Sequence, residues 1–319
     1  MAIRLALAGD TMLGRGVAER LASDPADSLV APEVADTARE ADLFVLNLEC
    51  CISDRGAPWP DPRKPFFFKA PPKAVETLVH LGVDCVTLAN NHALDFGTEA
   101  LLDTVRYLND AGITSVGAGS DVVRARSPAI LTANGFRLGV IGVADHPEEF
   151  AATPDRPGIA FVDLGNDDPD WLPRLIRGMD ADSVVVTPHW GPNMTPEPVP
   201  HVRSSGRAFL EAGVSLIAGH SAHVFQGVDG PILYDLGDFL DDYAVDPILR
   251  NDLGLLFLVT IDEGGPVRLE ALPLKLDFCY TKLAQGEDAA WVKKRFTEAC
   301  ASFGTAVTEE NGRLVIDWR

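Results

Sequence analysis

Five short apolar runs in this chain each end in a turn that carries a carboxylate, an amide or a histidine. The runs cover residues 5–8, 43–46, 84–89, 183–187 and 214–218. Runs of this kind, bounded by turn residues, predict buried strands. Because the carboxyl ends of strands in an open α/β sheet gather at one edge, we expect the polar side chains to meet there. In chain order they are Asp10, Glu49, Asn91, His92, His189, His220 and His223.

The residue types at this edge indicate a metal site. Imidazole and carboxylate ligands together suit Zn or Mn, and a carboxylate-rich set suits Ca or Mg. The sequence therefore predicts a divalent metal ion as cofactor. The expected ligands are Asp10, Glu49, Asn91, His189, His220 and His223.

Helices alternate with these strands, which indicates an α/β fold. Three helical runs end at Gly82, Gly112 and Gly213 and pass directly into apolar runs. Glycine after a helix takes the left-handed conformation at low cost. The pair Asn134-Gly135 between two apolar runs predicts a hairpin, so the sheets should be mixed. Two long loops, residues 53–65 and 145–170, are candidate lids or substrate loops.

Composition narrows the class of protein. The formal charge is −20 over 319 residues, which repels polyanions, so no nucleic-acid partner is expected. No apolar run approaches the roughly 20 residues needed to cross a bilayer. The first four residues lead straight into a strand run, without the pattern of a signal peptide. We therefore expect a cytoplasmic protein with no membrane partner.

A series of motifs adds a family resemblance. In order they are residues 9–12 (GDTM), 47–49 (NLE), 68–72 (FKAPP), 89–92 (ANNH) with 95–97 (DFG), 189–191 (HWG), 219–223 (GHSAH) and 236–239 (LGDF). The series resembles the CapA family, named for bacterial poly-γ-glutamate capsule synthesis, within the calcineurin-like metallophosphoesterase superfamily. The resemblance spans nearly the whole chain and implies one domain over residues 1–319. It implies a four-layer α/β/β/α sandwich with mixed sheets, with the strands and helix from about residue 254 packed onto it.

The opening motif departs from the superfamily pattern, which is Asp-x-His with both side chains on metal. Here Met12 stands where the histidine is expected, and a thioether is a poor ligand for hard divalent ions. The usual bridging aspartate is also absent, and Glu49 is the nearest candidate. A tight two-metal site needs a full ligand set on both sides. We therefore expect one ion, or a weakly held pair.

Two pairs of side chains are candidates for acid/base catalysis. Asp95 either caps the following helix or orients His92, since a carboxylate partner fixes the tautomer of an imidazole. The second pair joins His220 or His223 to Asp10 or Asp238. Two such pairs on a metal centre suit removal and return of a Cα proton of a peptide substrate.

The preferred prediction is therefore a metal-dependent peptide epimerase, because similar proteins include an epimerase of lasso-peptide biosynthesis. The first alternative is a metal-dependent hydrolase of phosphoesters or amides, including a function related to poly-γ-glutamate. The second alternative is a ligand-binding module with a decayed site. The density of histidines at strand ends argues against that module.

Overall fold

The computed structural model describes residues 1–164 and 171–318. Within these residues the helices are α1 Arg15–Ser23, α2 Pro32–Ala38, α3 Ala74–Leu81, α4 Gly97–Asp110, α5 Val122–Ala125, α6 Trp171–Gly178, α7 Pro200–Ala212 and α8 Gly286–Ala301. The first ten strands are β1 Ala2–Thr11, β2 Leu43–Leu48, β3 Cys51–Ile52, β4 Lys69–Ala70, β5 Cys85–Thr87, β6 Thr114–Val116, β7 Ala118–Gly119, β8 Ala129–Ala133, β9 Phe136–Ala144 and β10 Gly158–Ile159. The later strands are β11 Ser183–His189, β12 Leu216–Ala218, β13 Val228–Asp229, β14 Ile232–Leu233, β15 Asp238–Leu240, β16 Leu253–Asp262, β17 Gly265–Leu276, β18 Thr281–Leu283, β19 Thr308–Glu310 and β20 Arg313–Asp317.

The larger sheet has β1 near its centre. Its main path runs β19-β20-β17-β16-β1-β2-β5-β6, and β15 and β18 join at the side. Strands β1, β2, β5 and β6 are parallel, whereas β16 pairs antiparallel with β1 along residues 2–7. The C-terminal strands therefore belong to the same sheet as the N-terminal strand.

The second sheet follows the order β13-β14-β12-β11-β9-β8. Strands β9, β11, β12 and β14 are parallel, and β8 forms an antiparallel hairpin with β9. At the hairpin turn, Asn134 has φ 53° and Gly135 has φ 77°, as a two-residue turn of the left-handed type requires. The predicted hairpin and the mixed character of the sheets are both confirmed.

Three apolar cores separate four layers. Alternate side chains of a strand point to opposite faces, so Leu5 and Leu7 of β1 face Val140 and Val185 of the second sheet. Residues on the opposite face of the larger sheet, such as Ala6, pack with α1 to α4. The outer face of the second sheet packs with α6 and α7. The expected four-layer α/β/β/α sandwich is therefore confirmed.

The local signals for helix ends and loops correspond to the structure. Gly82 and Gly213 end α3 and α7 with φ 78° and 110°, and Gly112 follows α4 with φ 79°. Residues 53–68 connect β3 to β4 without a helix or strand. The second long loop contains a short 3-10 turn and β10, and its residues 165–170 lie outside the described residues. Among the described helices, none combines the length and apolarity needed to cross a membrane.

Candidate metal centre

A close backbone contact at Gly9 shapes the end of β1. A Cβ atom at this position would lie 1.8 Å from the carbonyl oxygen of Gly237, so only glycine fits. The contact allows β15 to pair with β1, and Asp10 lies beside Asp238 in the register. On the other side, Asn47 of β2 donates from Nδ2 to Asp10 Oδ1 at 2.6 Å. Local backbone packing therefore places two carboxylates and an orienting amide side by side.

The second sheet supplies histidines through the turn after β12. Ser221 and His223 in this turn have φ 109° and 58°, conformations that cost a non-glycine residue on the order of 1–3 kcal/mol. A single backbone β-bridge joins His220 in this turn to His189 at the end of β11. The Ser221 amide donates to Asp10 Oδ2 at 3.4 Å. The polar residues predicted to meet at one edge therefore come from two sheets whose strand ends converge.

Four of these side chains form one compact buried group. Asp10, Glu49, His223 and Asp238 each offer a ligand atom, and these atoms lie within 4.8 Å of one another. His223 Nδ1 is 2.9 Å from Asp238 Oδ1 and 3.4 Å from Asp10 Oδ2. Tyr243 donates its hydroxyl to Glu49 Oε2 at 3.2 Å, while Glu49 Oε1 has no hydrogen-bond partner among the described residues. Three carboxylates with one imidazole, all buried, fit a divalent cation.

The charges of this group are poorly balanced without a cation. Burial and the negative charge of Asp10 raise the pKa of Glu49 well above its usual range. Burial, with the charges of Asp241 and Asp10, does the same to the pKa of Asp238. Burial would also raise the pKa of Asp10, but the close imidazole of His220, with His223 and His189 nearby, lowers it below its usual value. A bound divalent ion would stabilise all three carboxylates in their charged form.

His92 lies at the edge of the group and is held by Asp95. The distance from His92 Nδ1 to Asp95 Oδ2 is 2.6 Å, and His92 Nε2 is 4.0 Å from Glu49 Oε1. Helix α4 begins at Gly97 and has no side-chain cap, so Asp95 orients the histidine and does not cap the helix. Burial lowers the pKa of His92 to about 4 despite the hydrogen bond to Asp95. The imidazole is therefore neutral near pH 7, with its Nε2 lone pair toward the carboxylates.

The loop between β3 and β4 completes the surroundings of Asp95. The backbone amide of Phe68 donates to Asp95 Oδ2 at 2.6 Å, and Lys64 Nζ lies 2.9 Å from Asp95 Oδ1. Lys64 also donates to the backbone oxygen of Asn91 at 2.8 Å. The Phe68 ring stacks on His92 with ring centres 3.9 Å apart. The loop of residues 53–68, called the proline-rich loop below, therefore holds Asp95 through Phe68 and Lys64 and packs the Phe68 ring against His92.

The remaining predicted residues lie around this centre. His220 Nδ1 is 3.3 Å from Asp10 Oδ1. His189 contacts Asn47 Nδ2 at 3.5 Å, and burial lowers its pKa well below the usual value. Asn91 Oδ1 is buried and has no hydrogen-bond partner within the described part of the chain, as is also true of His189 Nε2. These free polar atoms are available as further ligands, but the four-residue group does not include them.

The structure also brings into the site residues that the sequence analysis did not name as candidates. Asn90 donates from Nδ2 to Asn47 Oδ1 at 2.9 Å, so the two amides together orient Asp10. Asn47 and Asn90 both lie inside the family motifs quoted above, so those motifs could have pointed to them. Tyr243 lies outside the motifs, and no sequence pattern indicated it. Met12 is fully buried, and its sulfur accepts the amide hydrogen of Gly14 at 3.0 Å. The thioether therefore has a hydrogen-bond partner two residues away in the chain.

A four-layer sandwich with carboxylates and histidines at its converging strand ends defines the calcineurin-like class of metal-dependent enzymes. Residues 4–243 match the family described as "Bacterial capsule synthesis protein PGA_cap". The chain therefore belongs to this family, the CapA family, as the motifs indicated.

Several relatives share most of the chain. A "probable polyglutamine synthesis accessory protein" of Mycobacterium tuberculosis (strain H37Rv) is 33% identical over 296 residues, covering 86% of this chain and 76% of the relative. The "PGA biosynthesis protein CapA" of Bacillus subtilis (strain 168) is 26% identical over 316 residues, covering 97% and 80%. A crystal structure of a hypothetical protein from Thermus thermophilus has a TM-score of 0.52 at 16% identity, covering 86% of this chain and 100% of that one. This last likeness supports the fold alone.

Proposed function

We propose that the protein is a metal-dependent hydrolase that cleaves amide bonds in a peptide-like chain. The observation that carries the proposal is the position of His92, whose Nε2 faces the buried carboxylate group while Asp95 holds its Nδ1. A neutral, oriented imidazole beside a metal centre is the arrangement that water activation requires. The names of the relatives concern polyglutamine and capsule synthesis, and a poly-amino-acid chain is joined by amide bonds.

Each residue has a definite task in this proposal. Asp10, Glu49, His223 and Asp238 hold a divalent ion, which supplies Lewis acidity toward an oxygen of the substrate or of water. His92 takes a proton from the attacking water as the new carbon–oxygen bond forms. It then returns that proton to the leaving nitrogen as the carbon–nitrogen bond breaks.

The charge that develops on His92 during this transfer also needs a partner. Asp95 stabilises the imidazolium, and the Lys64 contact keeps Asp95 in place. Outside the four-residue group, His189, His220 and Asn91 are proposed as ligands of a weaker second ion. That role agrees with the one ion or weakly held pair expected from Met12.

Epimerisation of a peptide Cα centre, which the sequence favoured, is the second candidate. One observation supports it: His92 and His223 line the same cavity, so two proton-transfer groups face one space. In that reaction one imidazole removes the Cα proton and the other delivers a proton to the opposite face. Because His223 is also within 2.9 Å of Asp238 in the proposed ligand group, it would have to serve two purposes. We therefore place hydrolysis first.

One experiment separates the two reactions. The protein with Mn²⁺ is incubated in deuterium oxide with α-linked and γ-linked glutamate oligomers and with neutral peptides. Hydrolysis releases new amino groups without α-deuterium, whereas epimerisation leaves the chain length unchanged and places deuterium at Cα. We expect His92→Ala to lower the rate about 10²–10⁴-fold, the usual effect of losing a general acid/base.

The matched control is His80→Ala, a histidine in the last turn of α3, which should retain full activity. Deuterium at Cα with an intact chain would replace the hydrolase proposal by the epimerase. Amine release that is equal in wild type and His92→Ala would overturn the assigned role of His92.

A further inference from the structure

A cavity of about 310 Å³ opens directly beside His92 and His223. Its other walls include the rings of Phe66, Phe68 and Tyr243 and the side chain of Arg15. Arg15 is the one permanently charged cation among the described residues that line the cavity. A substrate whose reacting bond lies at His92 would extend one neighbouring group into this space.

The guanidinium of Arg15 is held rigidly by one carboxylate. Its Nε donates to Asp242 Oδ2 at 3.2 Å, and its Nη2 lies 2.9 Å from Asp242 Oδ1. Asp242 is buried and also accepts the backbone amide of Gly16 at 2.9 Å. Arg15 itself has φ 49°, a strained conformation for a residue with a side chain. The fork of Asp242 therefore fixes one edge of the guanidinium before any substrate arrives.

The aromatic side chains surround the same guanidinium. Its central carbon lies 5.6 Å from the Phe66 ring centre, 5.3 Å from that of Phe68 and 5.8 Å from that of Tyr243. Rings at this distance attract a cation through their electron-rich faces. The Nη1 group of Arg15 makes no hydrogen bond to any other residue in the described ranges. One donor edge of a pre-positioned arginine is therefore left for a ligand.

The surrounding charges decide what kind of ligand this edge can take. The neighbouring centre contributes the carboxyl groups of Asp10, Glu49 and Asp238 and no permanently charged cation. An anionic group on the substrate would be repelled from this region unless a local cation compensated it. Asp242 already balances the charge of Arg15, so what Arg15 offers to an anionic group is its free Nη1 edge, whose planar donor geometry suits carboxylates.

We propose that the cavity is a substrate subsite that binds a side-chain carboxylate adjacent to the reacting amide, with Arg15 as the residue that determines specificity. The carboxylate accepts from Nη1 of Arg15, and the methylene groups that carry it pack against Phe66 and Phe68. This assignment rests on the proposed function for the position of the reacting amide. It adds the chemical class of the group beside that amide.

The test uses two peptides that differ only by glutamate or glutamine next to the amide that is cleaved. Wild-type protein with Mn²⁺ should have a kcat/KM about 10- to 100-fold higher for the glutamate peptide, as expected for one charge-assisted hydrogen bond in a partly dry site. Arg15→Gln should reduce this ratio to within about threefold of one. Arg39→Gln, a change at the end of α2, is the matched control and should keep the wild-type ratio.

Binding provides a readout that does not depend on catalysis. Calorimetric titration of His92→Ala with each peptide should give tighter binding of the glutamate peptide, and the double variant with Arg15→Gln should lose that difference. If neither peptide is cleaved but this binding difference is present, the proposed hydrolase fails and the subsite stands. If both peptides are cleaved equally well and Arg15→Gln changes no ratio, the subsite assignment is wrong and the hydrolase stands.

Discussion

Replacing Asp238 by asparagine should stabilise the metal-free protein and weaken its binding of metal. The Asp238 carboxylate lies within 4.8 Å of ligand atoms of Asp10 and Glu49 and bonds to His223. Burial and the charges of Asp241 and Asp10 raise its pKa well above the usual range, so its charged form is disfavoured in the folded state. Asparagine has nearly the same shape and keeps an oxygen that accepts from His223, but it carries no charge.

The size of the effect follows from the distances. Two unit charges 4.8 Å apart repel by about 3 kcal/mol at an effective dielectric constant of ~20. The folded wild-type protein relieves part of this repulsion by taking up a proton. We therefore expect Asp238→Asn to raise the free energy of unfolding by about 1–3 kcal/mol over the wild type at pH 8.

The pH dependence has a definite sign. Because the folded pKa is raised, unfolding releases the proton at pH values between the unfolded pKa of about 3.9 and the higher folded pKa. Wild-type stability therefore falls as pH rises from that value to the folded pKa. The advantage of Asp238→Asn should be absent near pH 4 and should grow toward neutral pH.

Urea unfolding at several pH values, first in EDTA and then in Mn²⁺, measures this prediction. In EDTA the variant should be the more stable protein. In saturating Mn²⁺ the order should reverse, because an ion that binds only the folded state stabilises the tighter-binding protein more. Asp27→Asn, at an exposed aspartate, is the matched control and should change neither result. Equal stabilities in EDTA at pH 8, together with equal stabilisation by Mn²⁺, would refute the reasoning.

Two further predictions concern the metal centre. Burial and neighbouring carboxylates raise the pKa values of Glu49 and Asp238, and both side chains must lose their protons to become ligands. Binding of Mn²⁺ should therefore release protons, and the affinity for Mn²⁺ should rise with pH. Calorimetry in buffers of different ionisation enthalpy measures the number released, and a value of zero would contradict the assigned ligands. Met12→Leu should keep the Mn²⁺ affinity within about threefold, since the sulfur accepts from Gly14 and the exchange nearly conserves volume. A large loss of affinity would show that the thioether contributes to the site.

Short sequence patterns predicted the turns, helix ends and strands that depend mainly on neighbouring residues. The turn at Asn134-Gly135 and the helix ends at Gly82 and Gly213 depend on backbone conformations that few other residues adopt. The apolar runs likewise predicted β1, β2, β5, β11 and β12, because buried strands require apolar side chains on both faces. The polar residues lie at the ends of these strands or shortly after them, as the runs predicted.

The way in which β15 and the turn before it pack against β1 was not accessible from such signals. The contact of Gly9 with Gly237 joins residues far apart in the sequence, and only the folded chain shows that it sets Asp10 beside Asp238. Tyr243 reaches Glu49 for the same reason, through a tertiary contact with no sequence pattern. Sequence reasoning therefore predicted ligands one strand at a time and offered Asp95 as one possible orienting residue. It missed Asn47, Asn90 and Tyr243.

Asp95 shows how a tertiary contact decides between two local alternatives. An aspartate shortly before a helix is a common cap, and the sequence alone was equally consistent with a partner for His92. The amide of Phe68 and the ammonium group of Lys64 both reach Asp95 from the proline-rich loop. These two donors fix the carboxylate away from the helix end, so its remaining strong partner is the imidazole. The loop therefore holds in place the carboxylate that orients the proposed acid/base group.

The same reasoning connects metal binding to substrate choice. The buried carboxyl groups destabilise one another's charged forms, so the metal-free protein holds an unfavourable energy that a divalent ion would relieve on binding. A bound ion would also add positive charge beside the cavity, which would favour the approach of an anionic group to Arg15. Metal and a carboxylate-bearing substrate should therefore bind with positive cooperativity, each raising the affinity for the other by the same factor.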